Sequence, residues 1–265
     1  MLNLVARLAQ VPSSSLPGKA LRLPLRLIPR DLKVPILVGQ LRGYRWIVGS
    51  GNHSCWLGVY ERGKQETFAA TIPSGATVFD VGAHAGFYTL LFARLVGPTG
   101  RVVAFEPSSR NVEFLRRHIE LNKIRNVEIV EAAVSDSNGT GAFAERPSSY
   151  NGALDSSGTT RVQMVSVDDL CASGRIPPPN FIKIDVEGAE DLVLAGARST
   201  IAGAHPTIFL ATHGSDVDAR CVQLLASMRY QVDPIPGDPL EWRELIARPE
   251  PTGRRISLER RTDEV

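Results

Sequence analysis

The stretch TVFDVGAHAG, residues 77–86, constrains this chain more than any other. An apolar strand passes Asp80 and runs into a turn that carries Gly82 and Gly86. A strand of a parallel sheet must reverse within a few residues to enter its crossover helix. Glycine permits both the left-handed dihedrals of such a turn and the close approach of another group to the backbone. The following FYTLLFARLVG places Tyr88, Leu91, Phe92 and Leu95 at helical spacing and stops at Gly97 and Pro98, the usual end signals of a helix. RVVAFEP then reads as a second strand ending in Glu106 and Pro107, with Glu106 lying 20 residues beyond Gly86. At that point of a strand–turn–helix–strand unit, an acid accepts hydrogen bonds from ribose hydroxyls.

The turn separates two cofactor classes. The NAD fingerprint needs a second glycine two residues after the first, so that the backbone can approach a pyrophosphate. Here that place holds His84, and a carboxylate, Asp80, precedes the turn. A cationic cofactor with one ribose and no phosphate suits these acids better, which points to S-adenosylmethionine. An NAD-dependent oxidoreductase is the disfavoured alternative, and an α/β turn without a ligand is the plain one.

With 265 residues, 43% hydrophobic and 22% charged, the chain is long enough for one large α/β domain with an appendage. The division expected is an N-terminal cap over residues 1–70 and a cofactor-binding domain over residues 71–265. A formal net charge of +2 lacks the basic bias of a nucleic-acid binder, so nucleic acid is not the expected partner. Cys55, Cys171 and Cys221 form no CxxC pair, which indicates neither a disulfide framework nor a zinc site and makes a reducing cytoplasm the simplest location. No apolar run reaches about 18 residues, so no membrane span is expected. The first 30 residues are basic, as a transit peptide or membrane-surface arm would be, but four prolines break any long amphipathic helix, which favours a cap packed on the domain.

Further along, Trp46, Trp56 and Tyr60 are expected in the core, with a pocket wall as the alternative. SSRNVEFLRRHIELN sets Val112, Leu115, Ile119 and Asn122 on one helical stripe, capped by Ser108 or Ser109. NVEIVEAAVSD reads as a third strand, and residues 137–160 as a hairpin and loop over the site whose partner strand is RVQMV. Asp168 and Asp169 open a short helix. FIKID is a fourth strand ending in Asp185, followed by VEGAEDLVLAG as a helix entered through Gly188. HPTIFLATHG is a fifth strand ending in His213. RYQVDPI and RRISLER are read as the last strands, with residues 236–253 as their connection. Strands alternating with helices imply a parallel sheet that binds ligands beyond its carboxyl edge, where Asp80, Glu106, Asp185 and His213 fall.

Taken together, DVGAHAGFYTLLFA, FEPSSRNVEFLRRHIELN, VDDL and KIDVEGAEDLVLAG resemble the FkbM family of S-adenosylmethionine-dependent methyltransferases over roughly residues 61–230. The resemblance implies a Rossmann-like class I sheet of seven mostly parallel strands with the last one antiparallel, and methylation of a hydroxyl on a sugar or secondary metabolite. It assigns Asp80, Gly82, Ala83, His84 and Gly86 to the cofactor loop and Glu106 with Pro107 to the ribose. Ala133 stands where many class I enzymes have an acid near the adenine amine, which leaves adenine to main chain, Ser135 or Asp136. Asp185, Glu187 and Glu190 match the acidic motif after the fourth strand. There are two departures. His84 replaces a frequent Asn, and Ala211 replaces the carboxylate of a Glu-x-His pattern of which His213 remains.

Methyl transfer to an alcohol needs the nucleophile aligned with the sulfonium methyl and its proton removed. The groups expected to do this are His213, Asp185 and Glu187, with His213 as base because its pKa lies near working pH, and Asp185 orienting the acceptor or the methionine end of the cofactor. A divalent metal is not favoured, since no spacing demands it; its ligands would be Asp185, Glu187 and His213. The loss at Ala211 motivates a rival reading, a cofactor-binding sensor or scaffold that does not catalyse. The sequence names neither the acceptor nor the oligomeric state.

Overall fold

A seven-stranded sheet carries the molecule. The structure is a computed structural model and describes residues 24–145, 152–154, 157–235 and 243–251. In chain order the strands of this sheet are β3 (Thr77–Val81), β4 (Arg101–Phe105), β5 (Val127–Val130), β10 (Phe181–Ile184), β11 (Thr207–Thr212), β12 (Tyr230–Pro234) and β13 (Arg243–Pro249). Across the sheet they lie in the order β12-β13-β11-β10-β3-β4-β5. The five strands from β11 to β5 pair in parallel, and β13 runs antiparallel to both of its neighbours. This is the Rossmann-like arrangement expected. The central strands read as unbroken apolar runs because helices cover both faces. The chain leaves β3 toward β4 and β5, then returns to β10 on the other side, so the crevice of a topological switch point opens between β3 and β10.

Each strand leads into a helix that the sequence marks. α3 (Phe87–Val96) is buried nearly all round, from Phe87 to Ala93, as expected of a helix enclosed on every side. α4 (Ser109–Leu121) follows β4 with Ser108 at its N-cap position. Its buried stripe is Asn111, Val112, Leu115 and His118, which adds Asn111 and His118 to the expected stripe, while Ile119 packs partly buried against Ala83, Ala104 and Leu115. A short helix, α5 (Val167–Ala172), precedes β10; beyond β10 come α6 (Glu190–Ala195) and α7 (Arg198–Ala204), and beyond β11 comes α8 (Ser215–Ser227). The Asp168 carboxylate accepts from the backbone N–H groups of Ser199 (2.8 Å) and Thr200 (2.7 Å) at the start of α7. It thereby satisfies donors that a helix start otherwise leaves without partners.

The region before the sheet contributes a hairpin of β1 (Lys33–Pro35) and β2 (Arg45–Ile47) and the helices α1 (His53–Leu57) and α2 (Arg62–Thr71). Trp46, Phe68, Leu90, Leu91, Phe92 and Phe209 share one core on this face. Phe79, Phe105, Ile184, Leu194, Ile201 and Leu210 share another on the opposite face. Of the basic first 30 residues, 1–23 lie outside the described residues.

Three expectations change. The third strand is not continuous: β5 ends at Val130, and β6 (Ala133–Val134) leaves the main sheet to pair with β9 (Thr160–Val165) in a side sheet ordered β6-β9-β7-β8. In that sheet β7 (Gly139–Glu145) lies antiparallel to β9 and to β8 (Gly152–Leu154), as the hairpin reading required. Second, the turn and helix expected at 52–70 are two helices, divided by Gly58 in the left-handed region. Third, the final strand is β13, inside the segment read as a connection, while RRISLER lies outside the described residues. Prolines flank β13 and mimic a loop, but Leu245, Ile246 and Ala247 are all buried because both of its edges are paired.

Candidate active site

The turn after β3 is held from beneath. The N–H groups of Gly82 (3.0 Å) and Ala83 (2.9 Å) both donate to the Phe105 carbonyl at the end of β4. Gly82 has φ +79, and a Cβ there would stand 1.9 Å from the Asp185 carbonyl oxygen. Only glycine therefore lets the end of β10 lie against the turn, and this contact joins the two motifs of the sequence. Gly86, φ +92, starts α3 with its backbone against Leu115. His84 itself has φ +50, in the region where Asn and His are enriched among non-glycine residues. That accounts for a histidine in a place often held by asparagine.

Glu106 closes the turn on its other side. Its Oε2 accepts from the His84 N–H at 2.8 Å, and Oε1 accepts from the Ser108 N–H (3.0 Å) and Asn111 Nδ2 (3.2 Å). Burial raises its pKa and the three hydrogen bonds act against that, leaving it above the usual carboxylate value. Asp80 is oriented differently from the other acids. Wholly buried, it accepts from Thr89 Oγ1 at 2.6 Å and pairs with Lys183 Nζ at 3.3 Å. Lys183 in turn donates to the Gly82 carbonyl at 2.8 Å. Asp80 thus fixes the turn through a buried lysine and does not line the cavity over the switch point. Lys183 went unremarked in the sequence, where its signal was a lone cation inside the apolar FIKI.

A cavity of about 450 Å³ lies over the switch point. Gly82, Ala83, His84, Glu106 and Pro107 line one end, together with Ala133 and Phe143 of the side sheet; Lys183, Asp185 and Glu187 line another, and Trp46, Tyr60 and Tyr88 form an aromatic wall. Trp46 and Tyr60 therefore serve both core and cavity. Trp56 is core, its Nε1 donating to His53 Nδ1 at 3.0 Å. Ser135 and Asp136 are not on the wall. β6 has already crossed to the side sheet, and Ser135 is buried with its N–H on the Val165 carbonyl and its own carbonyl against Gly196. Neither side chain reaches the cavity, whose wall there is Ala132, Ala133, Val134 and Phe143.

The acidic motif converges on His213. One ligand-type atom from each of Asp185, Glu187 and His213 lies within 4.8 Å of the others. His213 Nε2 stands 3.8 Å from Asp185 Oδ1 and 3.8 Å from Glu187 Oε1. Its Nδ1 lies 2.8 Å from Oε1 of Glu190, which is wholly buried and also accepts from the Gly188 N–H at 3.0 Å. A carboxylate can only accept, so Nδ1 carries the proton and Nε2 turns toward Asp185 and Glu187. Burial lowers the His213 pKa, but the Glu190 hydrogen bond and the three carboxylates outweigh it and leave it raised. Burial likewise raises Asp185, yet Lys183, Lys64 and His213 bring it below its ordinary value.

The loss at Ala211 has a neighbour to set against it. Its register partner on β13 is Glu244, and directly opposite residues place their side chains on the same face of a sheet. Glu244 pairs with Lys64, which also holds Glu61 at 3.0 Å, and Tyr88 donates to Glu61. Burial pushes the Glu244 carboxyl up to about 7, Lys64 acting against it.

A model of the FkbM methyltransferase domain matches residues 80–248. The chain belongs to the FkbM methyltransferase family. Among proteins similar to this FkbM chain is the hexuronic acid methyltransferase AglP of Haloferax volcanii, 27% identical over 160 residues that cover 58% of the chain and 65% of AglP. Another is the 2-O-methyltransferase NoeI of Sinorhizobium fredii, 27% identical over 161 residues, covering 52% of the chain and 63% of NoeI. A solved FkbM methyltransferase structure from Methylobacillus flagellatus KT superposes with a TM-score of 0.51 at 21% identity, covering 65% of the chain and 43% of that structure. The chain thus spans just under two thirds of these two relatives and less than half of that structure, whose likeness bears on the fold.

Proposed function

We propose that this protein transfers a methyl group from S-adenosylmethionine to a hydroxyl of a sugar or another small hydroxylated metabolite. One observation carries the reading: the glycine turn with its ribose-type acid, Glu106, lines the same cavity as Asp185 and Glu187, which stand with His213 within 4.8 Å of one another. The first is the means of holding a nucleoside, and the second is the means of drawing a proton from an alcohol. Gly82, Ala83, His84, Glu106 and Pro107 would hold the ribose side, with Ala133 and Phe143 against adenine. Asp80 and Gly86 would act through the turn they shape. In the transfer, the carbon–sulfur bond of the sulfonium breaks with its electrons left on sulfur, and an acceptor oxygen forms the new carbon–oxygen bond. The hydroxyl proton is drawn off at the acidic end of the cavity. FkbM membership supports the cofactor, and the names of AglP, a hexuronic acid methyltransferase, and NoeI, a 2-O-methyltransferase, favour a sugar-type acceptor methylated at oxygen.

Calorimetric titration with S-adenosylmethionine, S-adenosylhomocysteine and NAD tests the cofactor, and methyl transfer to hexuronic acids and hexoses tests the acceptor. Micromolar binding of the first two, no binding of NAD, and transfer to a sugar hydroxyl are expected. Binding of NAD alone would overturn the cofactor assignment. Binding without transfer to any hydroxylated acceptor would favour a non-catalytic binding protein.

A further inference from the structure

Three carboxylates, Asp185, Glu187 and Glu190, gather around His213 beyond the ends of β10 and β11. Lys183 pairs with Asp80 at 3.3 Å beneath the turn and lies 3.7 Å from Asp185 Oδ2, and Lys64 also acts on Asp185. Burying carboxylates together is costly unless positive charge joins them. Lys183 lies on the Oδ2 side of Asp185, whereas Oδ1 is the oxygen that faces His213. The imidazole is also fixed for a particular use: Glu190 accepts from its Nδ1–H, which leaves Nε2 as the ring nitrogen turned toward Asp185 and Glu187 and available to a cation in the neutral ring. A carboxylate behind a histidine in this way is how proteins orient a metal-binding imidazole and raise its basicity.

We infer that Asp185 Oδ1, Glu187 Oε1 and His213 Nε2 form a three-ligand site for a divalent cation that takes oxygen and nitrogen donors, such as Mn²⁺ or Mg²⁺. Two carboxylates and one imidazole, with the remaining positions open to water or acceptor oxygens, suit such ions. The inference deepens the methyltransferase reading and rests on it for purpose. The cation balances the carboxylates and lowers the pKa of the acceptor hydroxyl. His213 is then a ligand and not a free base, and the hydroxyl proton passes to water. Glu190 is a positioning residue, since it acts through His213.

The test is binding of Mn²⁺ alone to the full chain after chelator treatment, followed by calorimetry and by the loss of the free-ion electron paramagnetic resonance signal. One Mn²⁺ per chain is expected, with affinity at least tenfold weaker in Glu187→Gln and His213→Ala and 10- to 100-fold weaker in Glu190→Gln. Glu128→Gln, on the far edge of the sheet, should bind as the parent does. Should His213→Ala fail to fold by circular dichroism, Glu187→Gln decides, because Glu187 stands at the cavity surface. No Mn²⁺ bound by the parent chain, or equal binding in Glu187→Gln, would overturn the site. S-adenosylhomocysteine is titrated in parallel. Its binding without Mn²⁺ binding removes the cation and leaves the cofactor reading, and the reverse result removes the cofactor reading alone.

Discussion

At the scale of single residues, three positions carry measurable weight. Glu106 holds the turn through His84 and Ser108, and charge-assisted hydrogen bonds of this kind contribute about 1.5–3 kcal/mol each. Glu106→Gln is therefore expected to weaken S-adenosylhomocysteine binding about 10- to 100-fold in a calorimetric titration. Gly82→Ala must place a Cβ 1.9 Å from a backbone oxygen at φ +79. Left-handed strain and overpacking add to about 3 kcal/mol or more, to be read from the denaturant midpoint. His118 is wholly buried, with Nδ1 donating to the Ala85 carbonyl at 2.7 Å and Nε2 accepting from the Ile47 N–H at 3.0 Å. This arrangement keeps it neutral, and burial pushes its pKa from 6.5 down to about 4. The unfolded chain then binds the extra proton first as pH falls. The stability this group contributes is complete above pH 6.5 and is lost toward pH 4, by about 3 kcal/mol in all. His118→Asn should be less stable at pH 7 yet lose less between those pH values.

At the scale of elements, the side sheet and the N-terminal hairpin each attach to the cavity by few contacts. Phe143 on β7 packs with Ala133, Val162 and Met164 in a small cluster apart from the main cores, and it lines the cavity beside Ala133. Phe143→Ala is expected to speed amide exchange in β7 and β9 while leaving β3 and β10 protected, since small clusters open locally. Loss of an aromatic contact should weaken S-adenosylhomocysteine about tenfold. The hairpin is tied to α4 more firmly, by Trp46 stacked on His118 with ring centroids 3.9 Å apart and by the Asn122 side chain at the end of α4, bonded to both backbone groups of Arg45. No helix among the described residues is long and apolar enough to cross a membrane.

At the scale of the molecule, strand order places the chemistry. β3 and β10 are far apart in sequence but adjacent in the sheet, with Phe181 opposite Val78 and Ile184 opposite Val81. Their carboxyl ends bring the turn and the acidic motif to one crevice. A ligand that binds this crevice in the folded chain alone must stabilise the whole fold. S-adenosylhomocysteine at a hundredfold excess over its Kd should add about 2.7 kcal/mol and raise Tm by about 5–10 °C in a thermal scan, with NAD leaving Tm unchanged.

What the sequence by itself determined were the features written within a few residues of each other. Apolar runs ending in acids, glycines at reversals and helical spacing after them announced the parallel sheet and placed Glu106, Asp185 and His213 on its carboxyl edge. Local pattern also accounts for its failures. Prolines around β13 hid a strand whose partners, β11 and β12, become visible only when the sheet is assembled, and β6 left the main sheet for β9, a pairing across some thirty residues. Tertiary structure alone decided where side chains point. It turned Asp80 beneath the turn onto Lys183, took Ser135 and Asp136 off the cavity wall, set Glu244 across from Ala211, and placed Glu190 behind His213. Each of these depends on distances between residues remote in sequence, and no local spacing encodes such a distance.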